Sequence, residues 1–139
     1  MRDDLILCIS RLLLAAIFLH EGAFLAMNFD SAAFAMAKLG VPAPLLVATV
    51  ALQVVCGLAI AVGFQARAGA AGLGLFCLAT AFLFHTNFAV RNELLHFEKD
   101  LAIAGGMFVL MIRGAGNWSL DHLLRAGYRP SLLATGVDR

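Results

Sequence analysis

The chain of 139 residues is 62% hydrophobic and 14% charged, with a mean hydropathy of +0.90 and a formal net charge of +1. A soluble domain averages about half apolar and about a quarter charged residues, so most of this surface must face lipid. The near-neutral balance, with no basic stripe and no interleaved aromatics, excludes nucleic acid as a partner.

Met1 to Asp4 is a short charged leader, and residues 5–25 form a first apolar span interrupted by Arg11, His20 and Glu21. About twenty residues at ~1.5 Å each cross a hydrocarbon layer about 30 Å thick, which suits one membrane helix. A cleaved signal peptide fits less well. The leader holds Asp3 and Asp4, the run is long, and the small-x-small triplet Ala35-Met36-Ala37 lies far downstream. Residues 28–41 read as a connector with a short amphipathic helix, because Phe29, Ala33, Met36 and Ala37 recur at helical spacing.

Gly40-Val41-Pro42-Ala43-Pro44 breaks that connector, and Pro44 suits the first turn of a second span over residues 44–64. A tight turn over Gly63 to Arg67 leads into a third span, residues 68–88, so spans two and three form an antiparallel hairpin. Val90 to Asp100 is a second charged connector. The fourth span, residues 97–113, has a strictly apolar centre from Leu101 to Ile112 and reaches crossing length with Phe97, the stem of Lys99 and a snorkelling Arg113. Residues 119–128 read as an interfacial helix capped by Ser119, with Trp118 at headgroup depth and Leu120, Leu123 and Leu124 on one face. The last ten residues are expected to be loose.

The expected fold is therefore all-α: a polytopic membrane protein built as an antiparallel four-helix transmembrane bundle with a short C-terminal interfacial helix, one membrane domain over residues 1–139. Basic residues set its orientation. Arg2, Arg11, Arg67, Arg113, Arg125, Arg129 and Arg139 fall on the side of the termini, and only Lys38, Arg91 and Lys99 fall opposite. This bias predicts cytoplasmic termini in a bacterial inner membrane.

With that topology, His20 and Glu21 end span one on the outer side, His85 and Asn87 end span three, and Lys99 and Asp100 begin span four. Gln53 lies near the middle of span two, and together these groups would line a polar pocket opening outward. Simpler readings stand beside this one. Histidine and glutamate at a helix end reach interfacial water, a buried glutamine can be interhelical glue, Arg11 snorkels or pairs locally, and His96 is solvated in its connector. No metal site is expected, since no ligand pair shows i, i+3 or i, i+4 spacing. Cys8, Cys56 and Cys77 include no CxxC and lie in apolar spans as small hydrophobes; a Cys56–Cys77 dithiol is the minor alternative. Gly57 with Ala61, Ala70 with Gly74, and Ala102 with Gly106 are small-x-x-x-small pairs that serve either internal packing or a homodimer.

Gly40-Val41-Pro42, Gln53 with Gly57-Leu58-Ala59-Ile60, Gly63-Phe64, Arg67, and Ala81-Phe82-Leu83-Phe84-His85-Thr86-Asn87-Phe88 resemble the DoxX family of small bacterial membrane proteins. So do Lys99 with Ile103-Ala104-Gly105-Gly106 and the Gly114-Ala115-Gly116 to Ser119-Leu120-Asp121 tail, giving a consistent order over roughly residues 5 to 125. The resemblance implies a four-helix membrane bundle and membership of a family named after a subunit of a thiosulfate:quinone oxidoreductase. Two positions depart from the family pattern: Gln53 stands where glutamate is usual, and Lys99-Asp100 where lysine-asparagine is usual. An amide carries no proton as a carboxylate does, which leaves His85 as the main proton-handling group.

The reading that follows is the membrane subunit of a quinone-linked redox system. His85 and Lys99 are the catalytic candidates, and Gln53, Asn87, His20 and Glu21 the substrate-binding ones. No haem, flavin or iron–sulfur ligand set is visible in the sequence, so electrons would come from a redox partner protein or a soluble donor. The alternatives are a non-enzymatic anchor or assembly factor and, less favoured, a small-solute carrier, for which four helices leave little room without dimerisation.

Overall fold

The computed structural model describes residues 2–127, and within them six helices and no strand. In chain order these are α1 (Arg2–Met27), α2 (Phe29–Lys38), α3 (Ala43–Val62), α4 (Ala66–Phe84), α5 (Arg91–Arg113) and α6 (Leu120–Gly127). The expected loose tail and Tyr128, the end of the expected interfacial helix, lie outside the described residues.

Each long helix buries one stripe. On α1 it is Arg11, Ala15, Phe18 and Gly22; on α3, Leu46, Gln53, Gly57 and Ile60; on α5, Asp100, Ala104, Met107 and Leu110. Steps of three, four and seven keep these positions on one face of a 3.6-residue helix. The opposite faces are apolar and bare: Leu13 is 70% exposed, Val55 64% and Ile112 71%. An apolar exterior around a small core is what lipid contact requires. α1, α3 and α4 are each long and apolar enough to cross a membrane.

The four long helices pack in a ring: α1 on α3, α3 on α4, α4 on α5, and α5 back on α1. Their shared core includes Ala15, Phe18, Ile60, Leu73, Cys77 and Met107. Small residues set the close approaches. A Cβ on Gly74 would lie 3.0 Å from the Phe108 ring and 3.2 Å from Met107 Cβ, so this glycine lets α5 sit directly on α4.

The structure differs from the sequence expectation in three places. Among the described residues three helices, not four, have the length and composition of a membrane span; α5 is 23 residues long, but its first half carries Arg91, Glu93, Glu98, Lys99 and Asp100. The segment 90–100, expected as a charged connector, is helical instead, because α5 begins at Arg91. Glu93, His96 and Asp100 there continue the stripe of Ala104 and Met107, so the helix has a polar packing face before its apolar one. Finally, α4 ends at Phe84 rather than at residue 88. His85 leaves helical geometry at φ −113°, and the Asn87 carbonyl accepts the Val90 N–H at 3.0 Å, closing a turn instead of extending the helix.

At the end of the ring that carries the start of α1, Arg11 neither snorkels nor pairs only locally. It is 3% exposed; Nη1 donates to the Ala115 carbonyl at 2.9 Å and Nη2 to the Trp118 carbonyl at 2.9 Å, with a weak contact to Cys8 Sγ at 3.8 Å. The guanidinium thereby fixes the loop between α5 and α6. Gly63 caps α3 in the left-handed region at φ 72°, and a Cβ there would overlap both Arg11 and Ser119. The Asp121 N–H donates to the Gly63 carbonyl at 2.9 Å, and Asp121 Oδ1 accepts the Gln65 N–H at 2.9 Å. Ser119 Oγ accepts the His122 N–H at 3.2 Å, the N-cap expected of it.

Candidate functional site

At the opposite end of the ring, a small cavity of about 160 Å³, with a few polar side chains set among apolar ones, opens between α1, α3, α4 and α5. Its lining includes Glu21, Gln53, His85 and Lys99, together with Cys77, Thr80 and Asp100. Four of the six residues singled out in the sequence thus meet around one space. His20 and Asn87 do not. His20 is exposed on α1 and lines no part of this cavity, while Asn87 is exposed in the turn after α4.

Gln53 is delivered to the cavity by a glycine. A Cβ on Gly22 would stand 2.8 Å from Val54 Cγ2 and 3.3 Å from Gln53 Cβ, so only glycine lets α1 and α3 close at this level. The Gln53 side chain is 6% exposed, its Oε1 is fully buried, and its amide has no hydrogen-bond partner among the described residues. Leaving such a group unpaired costs about 1–3 kcal/mol, so the sequence retains an amide where packing alone would favour a hydrocarbon. As interhelical glue it has nothing to hold.

Thr80 and Asp100 form the opposite wall. The Thr80 hydroxyl lies 3.0 Å from Asp100 Oδ2 and also reaches its own helix at the Phe76 and Cys77 carbonyls, at 3.1 and 3.0 Å. Asp100 is 9% exposed, and Lys99 Nζ stands 4.0 Å from its Oδ1. Lys99 Nζ also donates to His96 Nδ1 at 3.3 Å, and the His96 ring stacks on His85 at 5.1 Å between centroids. His85 Nδ1–H donates to Glu93 Oε2 at 2.8 Å. Both partners are about a third or a quarter exposed, so this pair adds little stability, on the order of 1 kcal/mol or less. Its consequence is geometric: the carboxylate fixes the ring through Nδ1 and leaves Nε2 without a hydrogen-bond partner among the described residues.

Thr80, Glu93 and His96 are the members of this constellation that the sequence reading leaves out. His96 is half-buried against His85 rather than solvated. The helical spacing of Glu93, His96 and Asp100 is the signal that would find Glu93 and His96, provided residues 91–100 are read as helix; Thr80 leaves no such signal. No group of three or more His, Cys, Asp or Glu among the described residues is arranged to hold a metal ion. Cys8, Cys56 and Cys77 are all free thiols.

An apolar cavity of about 460 Å³ lies beside the smaller one, bounded by α2, α3 and α4 and lined by Met36, Leu39, Leu45, Leu52 and Leu83 among others. Phe76, Thr80 and His85 line both spaces. The pair of cavities therefore presents polar groups at one end and hydrocarbon at the other.

The DoxX family model matches residues 6–86, more than half of the chain. This protein belongs to the DoxX family. Among curated proteins, the DoxX-family chain is similar to inner membrane protein YqjF of Escherichia coli (strain K12), 37% identical over 122 residues that cover 88% of this chain and 94% of that one. It is also similar to inner membrane protein YphA of the same organism, 35% identical over 123 residues covering 84% and 88% of the two chains. No solved structure matches it. The family match runs from the first helix through His85, so it takes in Glu21, Gln53, Thr80 and His85 but stops short of Lys99 and Asp100.

Proposed function

We propose that this DoxX-family chain is the membrane component of a quinone-linked redox system in a bacterial inner membrane, crossing it four times with both termini in the cytoplasm. The observation that carries the reading is the buried, unpartnered amide of Gln53, a residue in the wall of a cavity that shares Phe76, Thr80 and His85 with an apolar one. Oε1 is an acceptor, so a fitting ligand brings a hydroxyl donor, as the reduced form of a quinone does. At about 160 Å³ the Gln53 cavity is smaller than the roughly 300–1,000 Å³ of most ligand sites and suits a head group alone. The neighbouring 460 Å³ space suits an apolar tail.

A quinone bound there would supply two-electron, two-proton chemistry. The chain's own residues supply the rest. Gln53 orients the head through its amide, and His85, held at Nδ1 by Glu93, offers Nε2 to accept or return a proton. Lys99 at the cavity wall stabilises negative charge that develops on the head oxygen, while Asp100 and Thr80 hold the α4–α5 side of the cavity in place. A partner protein or soluble donor provides the electrons. Replacing His85 with alanine should lower quinone-dependent turnover in isolated membranes by about 10²–10⁴-fold, the usual contribution of a positioned general acid or base. Unchanged turnover would remove the proposal.

A second reading, a membrane anchor or assembly factor, is favoured by α6, where Leu123 is 66% and Leu124 54% exposed beside the charged residues Asp121 and Arg125. It predicts a stoichiometric partner on crosslinking that persists in the H85A and Q53L variants.

A further inference from the structure

A polar cavity of about 380 Å³ lies not at the candidate redox site but at the other end of the ring. Arg67 from α4, Arg113 from the end of α5 and Arg125 from α6 all line it, against one carboxylate, Asp121. That carboxylate is already engaged by the Gln65 N–H at 2.9 Å. Among the described residues no ion pair engages any of the three arginines, and each is exposed.

The fold places these three cations around one space. Arg67 lies against Gly114, where a Cβ would stand 3.0 Å from its Nε, and Gly114 adopts φ 79° at the end of α5. Arg11 pins the following loop from behind through the Ala115 and Trp118 carbonyls. The first turn of α4 forms another part of the wall, and Asp121 caps it by accepting the Gln65 N–H, so this carboxylate is turned to the helix end and not to the arginines. Three guanidinium groups lining one concave space against a single, already engaged carboxylate suit the fork geometry of a phosphate.

We infer that this basin binds a phosphate group, supplied by the headgroup of an anionic phospholipid in the leaflet at this end of the bundle. The exposed apolar faces of α1 and α4 beside it would take the acyl chains, and basic pockets between membrane helices on the cytoplasmic side suit such headgroups. The inference is independent of the redox reading, because no residue of the basin lines the Gln53 cavity.

The test is native mass spectrometry of the full chain released from micelles mixed with phosphatidylglycerol or phosphatidylcholine, alongside thermal unfolding in detergent with and without inorganic phosphate. Retention of phosphatidylglycerol over phosphatidylcholine is expected, weakening about fivefold for each of R67Q, R113Q and R125Q and on the order of 100-fold for all three. R91Q at the other end of the bundle should retain lipid as the wild type does. The triple lysine variant, which keeps the charge but loses the fork, should fall between, and it and the single variants carry the test if the triple glutamine variant fails to fold. Stabilisation by inorganic phosphate without lipid preference, lost in the variants, supports the phosphate site and makes the free anion its source. Equal retention of both lipids with no effect of phosphate, or retention unchanged in the single and lysine variants, would overturn the inference.

Discussion

Thr80 on α4 and Asp100 on α5 meet at 3.0 Å on the wall of the Gln53 cavity, and this contact joins the two helices at the level of Gln53 and Lys99. A nearly buried carboxylate depends strongly on such a donor. Replacing Thr80 with valine keeps the shape and removes the hydroxyl, and should destabilise the protein by about 1–3 kcal/mol. In a double-mutant cycle, T80V and D100N should couple by about 0.5–3 kcal/mol when unfolding is followed in detergent. Strict additivity would mean that the two side chains do not interact.

Gln53 predicts the reverse sign. Its amide makes no hydrogen bond among the described residues, so Gln53→Leu removes a buried polar group that stabilises nothing. The variant should be as stable as the wild type or more stable, by up to about 1–3 kcal/mol, while quinol binding falls. A loss of stability in Q53L would show that the amide is structural glue after all.

Arg11 and Gly63 are structural. Truncating Arg11 to alanine strands the Ala115 and Trp118 carbonyls in a buried setting, and the expected loss is about 3–5 kcal/mol, as for other broken buried charged contacts. Gly63→Ala meets both a positive φ and the Arg11 guanidinium, so it should destabilise by about 1–3 kcal/mol. Both effects are read from unfolding curves, and neither variant should change the affinity of the Gln53 cavity in the fraction that remains folded.

The proposed four-crossing arrangement predicts a labelling pattern. In a variant with the native cysteines replaced, a single cysteine at position 30 or 91 should react with a membrane-impermeant thiol reagent from outside intact cells. One at position 67 or 117 should react only after the membrane is opened. Labelling of position 91 from the same side as 117 would leave α5 lying on the surface instead of crossing.

Apolar periodicity made the four long helices, the α3–α4 hairpin and the short α2 legible, because lipid-facing runs are long and their breaks fall at Gly40, Pro42 and Gly63. Glu21, Gln53, His85 and Lys99 were legible as a group because their depths follow from topology alone. Thr80 and Glu93 were not. Thr80 sits within an apolar run where a hydroxyl usually satisfies its own helix, and only the approach of α5 gives it a second partner. Glu93 and His96 lie in a charged segment that reads as solvated unless its helical spacing is counted. Arg11 was misleading for the opposite reason: its partners are carbonyls more than a hundred residues away, and a backbone oxygen leaves no mark in a sequence. His20 and Asn87 have the right depth, yet rotation about the helix and the turn after Phe84 keep them from the cavity.

The most direct test of the central claim is mass spectrometry of the protein released from native lipid, with wild type and Q53L compared for co-purified quinone. A quinone that accompanies the wild-type chain and is lost from a fully folded Q53L variant is the expected result. Wild-type protein that carries no quinone, and takes none up when it is supplied in excess, would contradict the account.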